Sequence, residues 1–110
     1  MLFQKENYQL KSVSHNNNLI KRVILDNNSL PNLLQFAIAE FDSGEIIKPH
    51  SHVSMSEVFY VLSGKVQVIY NSENYIAKVG DSFLIRANNI HKLYFIENTE
   101  LLYFSLLDQK

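Results

Sequence analysis

The sequence predicts an all-β fold, a small antiparallel barrel or sandwich, and three observations carry that expectation. Short runs rich in Val, Ile, Leu, Phe and Tyr recur along the chain. Clusters of Asn, Asp, Ser and Gly separate them at regular intervals. No segment carries a sustained amphipathic helical period. Strands spaced by turns in this way belong to a sandwich or barrel rather than to a helical or α/β domain.

Taken in order, the first β-rich run is Leu19 to Leu25, between the turn-like stretches His15-Asn16-Asn17-Asn18 and Asn27-Asn28-Ser29. Leu33 to Phe41 follows and ends at Asp42-Ser43-Gly44. Glu57 to Leu62 leads through a tight Ser63-Gly64 turn into Lys65 to Tyr70. After Asn71-Ser72-Glu73-Asn74 come Tyr75 to Val79, the turn Gly80-Asp81, and Ser82 to Ile85. His91 to Ile96 and Leu101 to Leu106 close the set. No linker, repeat or low-complexity tract divides the chain, so a single domain over residues 1–110 is expected, with a barrel core at 33–107. Residues 1–30 form an N-terminal extension expected to add a strand to the barrel or to a partner subunit.

Composition narrows the function. At 110 residues the chain is long enough to bury roughly two-thirds of its unfolded surface. The absence of cysteine excludes disulfide scaffolds, thiolate metal sites and cysteine nucleophiles, and fits a reducing compartment. Ten basic and eleven acidic residues leave a net charge of −1, without the basic cluster a nucleic-acid surface needs. No apolar stretch reaches the length of a membrane span, and the first residues lack the apolar core of a signal peptide. A cytoplasmic protein without nucleic-acid or membrane partners is expected. Heavy use of Asn, Ile and Lys fits an AT-rich bacterial genome.

The chemistry lies in one run. Gly44 is followed by His50 and His52, then Glu57 and Gly64, and His91 comes a strand pair later. Side chains alternate across a strand, so residues two apart share a face, and the imidazoles of His50 and His52 can converge on one ion. Glu57 has the opposite parity and joins them only if the chain turns within Val53-Ser54-Met55-Ser56. The remaining histidine, His15, sits in an Asn-rich turn and reads as a surface residue.

This spacing resembles the first motif of the cupin family at Gly44, His50, His52, Glu57 and Gly64. The resemblance narrows the fold to a cupin-type double-stranded β-helix, or jelly-roll barrel. It implies that His50, His52, Glu57 and His91 hold one divalent transition metal, Fe, Mn, Ni, Co, Cu or Zn, since so much nitrogen disfavours Mg and Ca. The second cupin motif aligns with Gly80, Arg86, Asn88, His91 and Phe95, and only Gly80 and His91 match it. Asn88 stands for a glycine, which asparagine replaces well because it tolerates a left-handed backbone. Arg86 stands for a proline and points to solvent or to the barrel mouth. Phe95 stands for an asparagine, shares a face with His91 by parity, and is expected to narrow the cavity.

Phe36, Phe59, Phe95 and Tyr103 are the expected wall of a small-molecule pocket. Four protein ligands on a six-coordinate ion leave two positions open, which suits catalysis better than a structural role. The expected function is that of a metal-dependent oxygenase, or a metal-assisted isomerase or lyase, acting on a compact molecule that chelates through a carboxylate or enol. Two alternatives stand beside it: a non-enzymatic protein that binds a small ligand or the metal, and a metal-free cupin resembling the sugar-nucleotide epimerases. A homodimer is expected because a small jelly roll leaves sheet edges to cover.

Overall fold

The computed structural model describes residues 1–13 and 16–108, leaving aside the side chains of 16–18. A short 3₁₀ segment, Lys5–Asn7, precedes the strands. In chain order these are β1 (Gln9–Val13), β2 (Asn16–Asp26), β3 (Leu33–Phe41), β4 (Ile46–His50), β5 (Met55–Ser63), β6 (Lys65–Tyr70), β7 (Glu73–Lys78), β8 (Ser82–Ile85), β9 (His91–Phe95) and β10 (Thr99–Leu107). They form a six-stranded sheet in the order β1-β2-β3-β10-β5-β8 and a four-stranded sheet in the order β4-β9-β6-β7. All the pairings are antiparallel. This is the expected all-β jelly roll. Among the described residues, no helix is long and apolar enough to cross a membrane.

The core lies between the sheets and is built by strict alternation. On β9, His91, Leu93 and Phe95 point inward, while Lys92 and Tyr94 lie on the outer face. On β10 the inward residues are Thr99, Leu101, Tyr103 and Ser105. Val61, Val66, Val68, Leu93 and Leu101 are each buried to within 2 %, and each contributes on the order of 2 kcal/mol of hydrophobic stabilisation.

The observed strands depart from the expected ones at β4, which is not among the expected runs, at β7, which begins at Glu73 inside the expected turn, and at the amino-terminal end. Asn16, expected in a turn, already pairs with Val13 as β2 begins, because β1 supplies a ladder partner and ladder bonds are made by backbone whatever the side chains. Strand β1, with one buried residue in five, shows little of the apolar alternation that marks a strand in sequence. His15 lies outside the described residues.

Gly64 joins β5 to β6 with φ of +89°, and a Cβ there would stand 2.2 Å from the Asn98 carbonyl oxygen. Only glycine meets both demands, so this turn locks the two sheets against the β9–β10 connection.

Candidate metal centre

Strands β4 and β9 pair so that His50 stands opposite His91. His52 lies two residues past the end of β4, in a loop. Its position is held from the facing loop, where the Asn88 amide donates to the His52 carbonyl at 2.6 Å. Asn88 does so with φ of +67°, the left-handed conformation expected of the residue that replaces the motif glycine. The ligand atoms of His50, His52 and His91 come within 4.8 Å of one another. Shared strand parity is the expected route for His50 and His52, but His50 stands at the end of β4 and His52 in the loop beyond it; His91 comes from a separate strand, as expected.

Two of the rings have their tautomer set. His50 Nδ1 lies 2.8 Å from the Lys48 carbonyl oxygen. His91 Nδ1 lies 3.1 Å from the Asn89 carbonyl oxygen. A carbonyl only accepts, so each Nδ1 carries the proton and each Nε2 keeps a lone pair for an ion. Burial pushes the His91 imidazole below its ordinary pKa, partly opposed by the Asn89 carbonyl, and neighbouring His50 adds to the depression. A neutral imidazole is the form a metal takes.

Glu57 reaches the cluster from β5, after the chain has bent at Val53 and Ser54. Its Oε1 is 3.4 Å from His52 Nε2, and its Oε2 accepts a hydrogen bond of 3.2 Å from Ser105 Oγ. Burial acts to raise the Glu57 pKa. The His52 contact, the Ser105 hydrogen bond and the His91 charge together outweigh it and hold the carboxyl below its usual value. A buried carboxylate kept ionised beside three imidazoles is a donor set suited to a borderline divalent cation, so the residues present fit the expected metal.

The cavity beneath the histidines is small, ≈ 40 Å³. Its polar wall is Gln35, His50, Glu57 and His91, and its apolar wall includes Ile47, Met55, Phe59, Leu93 and Tyr103. Phe59 and Tyr103 both line this cavity, stacked with centroids 5.2 Å apart. Burial, then the Glu57 charge, pushes the Tyr103 phenol well above its ordinary pKa, so it remains a proton donor.

Two expected pocket residues are placed elsewhere. Phe36 alternates with Gln35 and Ala37, whose side chains point inward, and so faces out from the six-stranded sheet. Phe95 does share the inward face with His91, but four residues further along β9, roughly 13 Å at strand rise. There it is fully buried and stacked on Phe41, with centroids 4.1 Å apart and an interplanar angle of 5°. Phe95 therefore does not line the cavity itself; it backs Phe41, which does.

Residues that sequence reasoning missed complete the surroundings. Ser105 is buried and polar at an inward position of β10, and the alternation Leu101, Tyr103, Ser105 is the signal that would have found it. Lys21 is a buried cation on the inward face of β2. Arg86 is turned to Asp108, with Nε 3.0 Å from Oδ2. Asp108 also accepts from Ser56 Oγ, and Ser56 Oγ in turn accepts from the Ala87 amide at 2.9 Å. That network ties the chain beyond β10 to the residue beside Glu57.

The pectin degradation protein KdgF of Dickeya dadantii is 29% identical over 69 residues, which span 63% of this chain and 63% of that protein. Among solved structures, a predicted oxalate decarboxylase from Thermotoga maritima superposes with a TM-score of 0.84 at 18% identity, covering 97% of this chain and 99% of that one. KdgF from Halomonas sp. gives a TM-score of 0.80 at 19% identity, covering 100% and 94%. At those identities the two structures share the fold. The family model Cupin_2, described as a cupin domain, matches residues 37–107, and the chain therefore belongs to the cupin family.

Proposed function

We propose that this chain is a metal-dependent enzyme of the isomerase or lyase type, acting on a compact carboxylated or enolisable molecule. One observation carries the reading: His50, His52 and His91 bring their ligand atoms within 4.8 Å of one another, and His50 and His91 stand with Glu57 on the wall of a cavity. The likeness to a pectin degradation protein supports a substrate drawn from the breakdown of acidic sugars. A bound divalent ion would supply Lewis-acid polarisation of a carbonyl or enolate oxygen.

The chain's own residues do the rest. His50 and His91 offer Nε2 lone pairs, and His52 and Glu57 complete the donor set. Tyr103 keeps its phenolic proton on the cavity wall, in place to donate to an oxygen of the substrate. Ile47, Phe59 and Leu93 exclude water. A cavity of ≈ 40 Å³ takes little beyond an ion and one or two water-sized groups, so the body of the substrate lies toward the mouth and only its chelating end enters.

The same narrowness favours a second reading, in which the pocket binds a small chelating ligand, or the ion alone, without turnover. Protein loaded with Fe, Mn, Ni or Zn and offered unsaturated and keto sugar acids separates the two. Product formation with redox-inert Zn supports the isomerase or lyase. Turnover restricted to Fe, Mn or Ni with oxygen consumption would make it an oxygenase, and affinity without product under every metal would make it a binding protein. We further propose that the chain works as a homodimer.

A further inference from the structure

We infer that Gln35 is a specificity-determining residue of the site, its carboxamide hydrogen-bonding the hydroxyl of a 2-hydroxy acid, or of the corresponding enol, chelated beside the three histidines. The inference rests on the metal-dependent reading above and deepens it by naming the group that the pocket recognises.

Strand register puts Gln35 there. On β3 it stands directly opposite Ser105 of β10, and Ser105 stands opposite Glu57 of β5. Residues opposed in this way point to the same face of a sheet, so the three form a polar row across the inner wall. Gln35 and Glu57 both line the cavity, facing His50 and His91 on the four-stranded sheet. Gln35 is the uncommitted member of the row. Ser105 gives its one proton to Glu57 Oε2, and Glu57 Oε1 lies against His52. Among the described residues no hydrogen bond engages the Gln35 carboxamide. An amide facing a largely apolar cavity is costly to leave unpaired, and a bound ligand with a matching group removes that cost.

The chemistry of the wall selects the group. A hydroxyl whose lone pair is given to an ion still has a proton to place, and Gln35 Oε1 is a neutral acceptor for it. The same carboxamide donates through Nε2, so it serves the oxygen equally after an enol has become a ketone. A second carboxylate on the ligand would call for a cation. Among the described residues lining the cavity there is no lysine or arginine. The buried Lys21 pairs with Ala39, four residues along β3 from Gln35, roughly 13 Å at strand rise. With Glu57 ionised, a divalent ion keeps one positive charge, which a single carboxylate neutralises. The ligand class is therefore a monocarboxylate with an adjacent hydroxyl or enol.

Cobalt-loaded protein, its metal content first measured by elemental analysis, is titrated with glycolate, which has the hydroxyl, and with acetate, which lacks it. The visible absorption bands of the ion report binding. Chelation by itself favours glycolate, so the informative quantity is the change in that preference on substitution. In Gln35→Met, close in size but without hydrogen-bonding groups, the preference for glycolate over acetate is expected to fall about 10-fold at unchanged cobalt content. Gln35→Leu is expected to give the same loss, which guards against a folding defect in either variant. Wild-type protein that binds neither acid or shows no preference for glycolate would overturn the inference, as would a preference unchanged in both variants, and the metal reading would stand. Wild-type protein that takes up no cobalt would overturn both.

Discussion

Ser105 on β10 lies directly opposite Glu57 on β5, and its hydroxyl donates to the Glu57 carboxylate at 3.2 Å with both residues buried. The serine holds the carboxylate in the orientation that brings its other oxygen to His52. Ser105→Ala removes that donor and leaves a buried charged acceptor short of one partner, which costs about 1–3 kcal/mol of stability. Metal affinity is expected to fall by about 10-fold, as it does when an outer partner of a ligand is lost. Competition titration with a chromophoric chelator reads the second effect and thermal melting the first. Unchanged affinity would mean that Glu57 does not depend on Ser105 for its placement.

Acid should empty the site and loosen the fold. The folded-state pKa of His91 lies below its ordinary 6.5, and that of Glu57 below its ordinary 4.5. In both cases the unfolded chain binds more protons across the interval between the two values, so stability rises with pH there. Metal-free protein is therefore expected to lose stability as pH falls below 6.5, then further as Glu57 protonates below 4.5. Metal retention should weaken below about pH 6 as protons compete for the imidazoles. Elemental analysis after dialysis at stepped pH checks the retention, and full occupancy at pH 4 would exclude a histidine-rich shell.

Phe95→Ala should act on the core and spare the site. The ring is wholly buried against Phe41 at the base of the barrel. Its removal leaves a cavity and is expected to cost about 3–5 kcal/mol. Metal affinity should change less than 2-fold, roughly 0.4 kcal/mol, once the variant is measured below its melting temperature. A large loss of metal with little loss of stability would return Phe95 to the pocket.

Lys21 is expected to be a stability cost at neutral pH. Burial pushes its pKa below the ordinary 10.5, against the pull of the Glu57 charge, and Lys11 adds to the depression. Removing the charge in Lys21→Met should raise the melting temperature by about 4 °C, corresponding to roughly 1 kcal/mol. The gain should shrink as pH approaches 10.5, where the native lysine sheds its proton before the unfolded one does. A variant less stable than wild type at pH 7 would show that the ammonium is compensated by a partner.

Much of the molecule was legible in its residues. Alternation, turn residues and the absence of a helical period determine the strands, because local propensity and burial on one face agree along nearly the whole chain. The spacing of His50, His52, Glu57 and His91 marks the histidine cluster, since ligands to one ion must sit where a strand, a turn and a second strand deliver them. What tertiary structure decided is how far along each strand a face serves the site. Phe95 has the parity of His91 but stands at the base of the barrel, and Phe36 is turned outward by an alternation whose phase was not visible before β3 was paired. Ser105 becomes the partner of Glu57 only through the β5–β10 register. His52 is held by Asn88 from another loop. Parity is local and follows from the chain itself; register, depth in the barrel and loop-to-loop hydrogen bonds depend on which distant strands meet, and only the packed fold specifies those.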